Sequence, residues 1–150
     1  MGRSGLIDGM DELAGAGDGQ SPVFTPEDCK RLSESARKAF FRLSHVWALH
    51  KADDIVLLGL PSCEAYREWR TLKALVCSSD TLERISLLLG IYKSLHIFFN
   101  APLADAWIRR DNSHPLFDNR SPLELMLTGD LYALRQVRLY VDAMGGPYSG

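Results

Sequence analysis

Apolar residues recur at intervals of three and four along most of this chain, which is the spacing of one face of an α-helix. The first such repeat lies between residues 25 and 50. Thr25 is placed to cap the helix, Pro26 suits the first helical position, and the acidic Asp28 favours the positive helix end. The apolar stripe of this predicted helix comprises Cys29, Leu32, Ala36, Phe40, Leu43 and Trp47.

Two short helices are predicted next, with a glycine-containing turn between them. The first covers Asp53–Leu60 and ends at Gly59, and the second covers Cys63–Leu72 behind a capping Ser62. Two short helices joined in this way are the sequence signature of a helix-turn-helix.

The helix that follows is predicted to be apolar on nearly every side. Asp80 and Glu83 resemble a capping box at its start. Because only a narrow polar strip remains, we expect this helix to lie at the centre of the fold. Its two apolar stripes comprise Leu82, Ile85, Leu89, Tyr92, His96 and Phe99, and Leu88, Ile91, Leu95 and Phe98.

The last third of the chain is predicted to hold three more helices and an ordered loop. One helix begins at Asn100–Pro102, the loop covers Asp111–Asn119 and ends in a tight turn, and Ser121–Glu124 forms a capping box. Asp130 caps the last helix, and Gly145–Pro147 ends it. Since no strand pattern appears, the predicted fold class is all-α.

Composition sets ordinary bounds on function. The hydrophobic share of 46% and the charged share of 24% are typical of a globular protein, and a net charge of −2 gives no global basic field to attract nucleic acid. No apolar run is long enough to span a bilayer, and the N-terminus lacks the apolar stretch of a signal peptide. The three cysteines lack Cys-x-x-Cys spacing, which favours a reduced, cytoplasmic location.

Catalytic motifs are missing from the sequence. The four histidines, His45, His50, His96 and His114, are scattered and form no metal-ligand spacing with each other or with a cysteine. His96 lies on an apolar helix face and is predicted to be a core histidine. With no nucleophile motif and no phosphate-binding glycine loop, we predict that the chain is not an enzyme and holds neither cofactor nor metal.

One motif in the last third of the chain carries a family resemblance. The motif consists of Trp107-Ile108, Asn112, Pro115-Leu116-Phe117, Arg120-Ser121-Pro122-Leu123-Glu124-Leu125-Met126 and Gly129-Asp130. This order resembles the toxin-binding domain of antitoxins of the Xre/MbcA/ParS type. The resemblance is close over Ala104–Gly146 and looser back to about Asp53, and Leu82–Leu95 resembles the linking helix of the same family.

The resemblance implies a domain order and a partner. Residues 1–24, rich in Gly, Asp and Ala, are predicted to be a disordered tail. Residues 25–100 are then expected to form an Xre-like helix-turn-helix domain that dimerises, and 101–150 a toxin-binding domain sufficient for binding by itself. The implied partner is a RES-domain toxin that consumes NAD, by degrading it or by transferring its ADP-ribose. The antitoxin is expected to cover the NAD cleft.

Several arginines and asparagines of the motif surround two apolar anchors, Leu116 and Phe117, which is the pattern of an interface hot spot. Either the loop Asp111–Arg120 or the segment from Met144 onward is expected to occlude the toxin's cleft. The predicted toxin-binding residues are Arg109, Arg110, Asn112, Leu116, Phe117, Asn119, Arg120, Met144, Gly145, Gly146 and Tyr148.

The alternative function is a transcriptional regulator without a toxin partner. On the predicted recognition helix, Arg67, Arg70 and the following Lys73 are candidates for DNA contacts. Glu64 and Glu68 on the same helix would be repelled by phosphates, so DNA binding by this chain is expected to be weak.

Overall fold

The computed structural model describes residues 24–71 and 76–144, and within these stretches the chain forms α-helices and no strand, which confirms the all-α prediction. Residues 1–23 of the predicted tail 1–24 lie outside the described residues, as do Lys73, Gly145, Gly146 and Tyr148, whereas Phe24 is described and buried. The helices are α1 (Pro26–Val46), α2 (Lys51–Leu58), α3 (Cys63–Thr71), α4 (Ser79–Phe98), α5 (Ala101–Trp107), α6 (Pro122–Met126) and α7 (Leu131–Met144).

Several helix starts follow the predicted caps. At α1 the backbone N–H of Asp28 donates to the Thr25 hydroxyl at 3.1 Å, and the Thr25 N–H donates to the Asp28 carboxylate at 3.0 Å. Ser121 and Glu124 form the same reciprocal pair at α6, at 3.2 and 3.1 Å. Ser62 caps α3 by accepting a backbone N–H at 3.1 Å. Reciprocal capping fixes where a helix begins because it satisfies two otherwise unpaired N–H groups.

The capping box predicted for α4 is wrong. The cap is Ser78, whose hydroxyl accepts a backbone N–H of the first turn at 3.1 Å. Asp80 instead accepts from Arg84 at 2.9 Å, and Glu83 accepts from Arg135 on α7 at 2.6 Å. The Asp80 carboxylate therefore pairs with a side chain of α4 itself, and the Glu83 carboxylate joins α4 to α7.

Two boundaries near the predicted helix-turn-helix also differ from expectation. The helix α1 stops before Ala48, whose φ of 52° takes the backbone into the left-handed region. α2 begins two residues earlier than Asp53, because that carboxylate accepts the His50 N–H at 3.0 Å from the third position of the helix. Gly59 ends α2 as predicted, with φ of 70°.

α4 is the central helix, and α1, α2, α5 and α7 pack against it. The core is continuous from Phe24, at the edge of the predicted tail, to Val141 on the last helix. The predicted domain boundary at residue 100 thus falls within one core, since side chains of α4 such as Leu88 and Leu95 are fully buried beneath helices from both sides of it. No helix in the described stretches is long and apolar enough to cross a membrane.

Candidate functional site

The loop between α5 and α6 is the first candidate surface, and its backbone is tightly fixed. The Asn112 N–H donates to the Arg120 carbonyl at 3.1 Å, and the Asn119 N–H donates to the Asn112 carbonyl at 3.0 Å. Asp118 and Asn119 have φ of 52° and 64°. Asp and Asn tolerate this left-handed backbone better than most residues, so the predicted tight turn forms where these two stand.

Asn112 and His114 shape the loop from within. The Asn112 side-chain oxygen accepts the His114 N–H at 2.9 Å. The His114 Nδ1 accepts the Leu116 N–H at 3.1 Å. Asn112 was predicted to bind the toxin. Its side-chain oxygen already accepts a hydrogen bond within the loop.

Phe117, predicted as an apolar anchor for the toxin, lies in the core. Its side chain is fully buried beneath the rings of Trp107, at 5.9 Å between centroids, and of Tyr140, at 5.0 Å. A ring without accessible surface cannot contact a partner, so Phe117 supports the surface from below. Its neighbour Leu116 is only half-buried.

Arg109 also makes its contacts within the chain. Its Nη2 donates to the carbonyls of Trp47 at 2.8 Å and of Ala48 at 3.0 Å, at the C-terminal end of α1. A cation at this end of a helix meets unpaired carbonyls and the negative end of the helix dipole. Arg109 thus ties the last third of the chain to the first helix.

The remaining predicted residues lie on the surface. Arg110, Asn119 and Arg120 are exposed, and the Arg120 Nε lies 3.4 Å from the Phe117 carbonyl. Met144 ends α7 half-buried. These residues and the half-buried Asn112 keep accessible surface for a partner, whereas Phe117 does not.

An aromatic surface beside the loop was missed in the sequence. Tyr140 stacks on Trp107 with 6.0 Å between centroids and an angle of 24°, and His114 meets Tyr140 edge-on at 4.8 Å. Both Trp107 and Tyr140 are half-buried. Tyr140, on the last helix, is distant in sequence from Trp107 and His114, so only its position in space reveals the cluster.

His96 is enclosed, as its helix position predicted. Its side chain is 6% exposed, and its Nε2 lies 2.7 Å from the Asp105 carboxylate on α5.

An open cavity of 660 Å³ lies at the C-terminal end of α4 and is lined by Ile97, Phe98, Phe99 and Met144. Phe98 is 38% exposed although its spacing placed it on an apolar stripe, because α4 ends at this residue.

A second, polar cavity of 680 Å³ lies between α1, α2 and α3. Its buried carboxylate, Asp54, accepts hydroxyl donors from Ser44 and Tyr66, each at 2.7 Å. Burial raises the pKa of Asp54 above its ordinary value despite these bonds. Burial and the hydrogen bond to Asp54 raise the pKa of Tyr66 to about 12. The pair joins α2 to α3 below the cavity.

The predicted DNA-contacting arginines border this cavity. Arg70 lines it, and Arg67 and Arg70 line an adjoining cavity of 260 Å³ with Lys51. Glu68 lines a different cavity on the other side of α3, beside Trp69. Glu68 therefore lies away from the two arginines, whereas Glu64 is exposed one helical turn before Arg67.

The described residues hold no group of three or more His, Cys, Asp or Glu side chains placed to bind a metal ion. What they hold instead is a pair of surfaces suited to binding: a loop and aromatic cluster near α5–α7, and a cation-lined cavity at α1–α3. The first surface lies where the sequence resemblance is strongest.

Comparison with known proteins assigns this part of the chain. Residues 94–146 match the family model of the antitoxin Xre/MbcA/ParS C-terminal toxin-binding domain. An uncharacterized protein, y4oB of Sinorhizobium fredii, is 40% identical over 120 residues, which cover 76% of this chain and 91% of that protein. The class of the protein is thus that of an antitoxin, a regulator whose partner is a toxin. The chain belongs to the Xre/MbcA/ParS antitoxin family.

Proposed function

We propose that this antitoxin neutralises a RES-domain toxin by covering the toxin's NAD site. The observation that carries the proposal is the match of residues 94–146 to a toxin-binding domain, on which Arg110, Asn119 and Arg120 stand exposed. Guanidinium and amide donors can engage acceptors that otherwise meet NAD phosphates. Neutralisation is then steric and needs no chemistry from the antitoxin.

Two segments compete for the role of plug. The loop Asp111–Arg120 is rigid, because its backbone bonds and the Asn112 side chain fix it. The chain beyond Met144 offers Gly145 and Gly146, followed by Tyr148, as a thin segment able to enter a narrow cleft. We favour the segment after Met144, because its two glycines carry no side chain that would obstruct entry into a narrow cleft.

Co-purification with the product of a neighbouring RES-domain gene, followed by an NAD-consumption assay, tests the proposal. Deletion of residues 145–150 is expected to leave binding largely intact and to restore NAD turnover. The control is Arg120→Ala, which is expected to keep inhibition if the chain end is the plug. If the deletion still inhibits fully and Arg120→Ala does not, the loop is the plug. If the full chain does not bind the RES-domain protein, the proposed partner is wrong.

A second candidate function, DNA binding by a helix-turn-helix at α2–α3, is favoured by one observation. Lys51, Arg67 and Arg70 line one cavity, and Glu68 lies on the other side of α3. Such a cationic surface fits a phosphate backbone in a cytoplasmic regulator, and dimerisation of the N-terminal helices would double it. Arg67→Ala and Arg70→Ala are expected to weaken binding to operator DNA in a gel-shift assay, and Glu68→Ala is not. Equal effects from all three variants would contradict this function.

A further inference from the structure

Two exposed apolar residues stand side by side where α4 ends. Ile97 is 65% exposed and Phe98 is 38% exposed. With the half-buried Phe99 and Met144 they line the open cavity of 660 Å³, which we call the corner groove. Exposed apolar side chains that cluster on a folded domain mark interaction sites, whereas apolar residues scattered singly over a surface do not.

The corner that carries these residues is rigid. His96 and Asp105 join α4 to α5 at 2.7 Å, and Asn100 caps α5 by accepting the Leu103 N–H at 3.2 Å. The exposed side chains therefore project from a fixed position and not from a frayed helix end. A pre-formed apolar surface binds a partner without the entropy cost of ordering it first.

The corner groove lies where the two ends of the toxin-binding domain meet. The family match begins at residue 94, shortly before Ile97, and ends at residue 146, shortly after Met144. Outside this match, the exposed large hydrophobic residues of the described chain are Val46 and Val76, which stand on separate elements. The groove therefore belongs to the domain whose partner is a toxin.

We propose that the toxin seats an apolar surface in the corner groove, with Ile97 and Phe98 as the main anchors. This inference rests on the proposed function, and it adds the surface that supplies binding energy. Met144, which lines the groove, is a described residue of the same domain, so the groove lies wholly on residues that the structure places. The groove then supplies toxin affinity, separately from the residues proposed above to block the NAD site.

The test uses the full chain and the RES-domain protein encoded beside it. Ile97→Asp and Phe98→Asp place a charge in the groove, and Leu139→Asp, at an exposed residue of α7 in the same domain, is the matched control. We expect a loss of toxin affinity of about 100-fold for Ile97→Asp by titration calorimetry, as for other interface anchors, and little change for Leu139→Asp. The melting temperature of each free variant checks that it folds. If Ile97→Asp does not fold, Ile97→Ser takes its place.

Each other outcome is decisive. If the wild-type chain binds the toxin and Ile97→Asp binds equally well, the groove is not the seat, and the proposed function stands without it. If Ile97→Asp changes the mass of the free antitoxin in light scattering and leaves toxin affinity intact, the groove joins two copies of this chain and the inference is wrong. If the wild-type chain does not bind the toxin, the proposed function falls, and this inference with it.

Discussion

Arg138 on α7 lies across Gly90 on α4, so closely that a β-carbon at position 90 would overlap its guanidinium group. Both residues are buried. The Arg138 Nε donates to Asp142 at 2.9 Å, and the same carboxylate accepts the Ser94 hydroxyl at 2.7 Å. A glycine in the middle of the central helix is thus the space that lets α7 bring its ion pair onto α4.

Gly90→Ala is therefore expected to destabilise the protein. Alanine favours the helix by about 1 kcal/mol, but displacing a buried ion pair costs about 3 to 5 kcal/mol, so we expect a net loss of about 2 to 4 kcal/mol. Urea unfolding followed by circular dichroism measures it. The control is the Arg138→Ala variant, which lacks the guanidinium group that blocks a β-carbon at position 90. In that variant, Gly90→Ala should be neutral or stabilising. Equal losses in both backgrounds would mean that Arg138 is not the obstacle.

Two adjacent arginines are expected to act in different ways. Arg109→Ala removes donors to the carbonyls of Trp47 and Ala48 and should lower the free energy of unfolding by about 1 kcal/mol, as for hydrogen bonds of a partly exposed charged group. Arg110→Ala changes an exposed side chain and should leave stability unchanged while weakening toxin binding. Thermal unfolding and titration with the toxin, applied to both variants, separate the effects. A loss of stability in Arg110→Ala would contradict this division.

The buried carboxyl of Asp54 should make stability fall as pH rises. Its pKa is raised by burial in the folded protein, so the folded state holds this proton more tightly than the unfolded state, where the pKa is near 3.8. The resulting stabilisation is complete below that value and is lost as pH rises through the raised pKa. The stability of Asp54→Asn, measured by urea unfolding, should therefore improve relative to the wild type as pH rises from 3.8 through the raised pKa.

Asp28 supplies the control of opposite sign. Hydrogen bonds from the Thr25 backbone and from Arg31 lower its pKa, so its contribution is present above 3.8 and is lost as pH falls through the lowered value. Asp28→Asn should therefore lose stability relative to the wild type as pH rises from acid conditions. The same direction of change in both variants would show that the local environments of the carboxyls do not set the pH dependence.

The helices were largely predictable from sequence, and the roles of the site residues were not. Thr25 and Ser121 act as predicted because a cap depends only on residues three positions away. Asp80 and Glu83 have the same spacing, yet Arg84 and Arg135 take their carboxylates, and Arg135 is distant in sequence. Long-range contacts leave no mark in local spacing.

The same reason explains the candidate surface. Phe117 stands in the family motif and was predicted to contact the toxin, yet the rings of Trp107 and Tyr140 cover it. Phe98 continues a predicted apolar stripe and gave no sign of exposure until the end of α4 was known. The family resemblance could be recognised from the sequence, whereas the distinction between surface and core depended on tertiary packing.

A fragment that begins at residue 101, although predicted from the motif to suffice, should fail to fold. Leu134, Val137 and Val141 on α7 are fully buried, and α4 is the helix against which α7 chiefly packs. Without α4 these side chains would meet water, at a cost of about 1.5 to 3 kcal/mol each, which exceeds what so short a chain can recover elsewhere.

A fragment that begins at Ser78 retains the α4 cap and should keep helical structure and bind the toxin. It should be less stable than the full chain, because α1 no longer packs against α4. Circular dichroism and toxin titration of the two fragments test this expectation. Cooperative unfolding and full toxin affinity in the shorter fragment would show that α4 is dispensable.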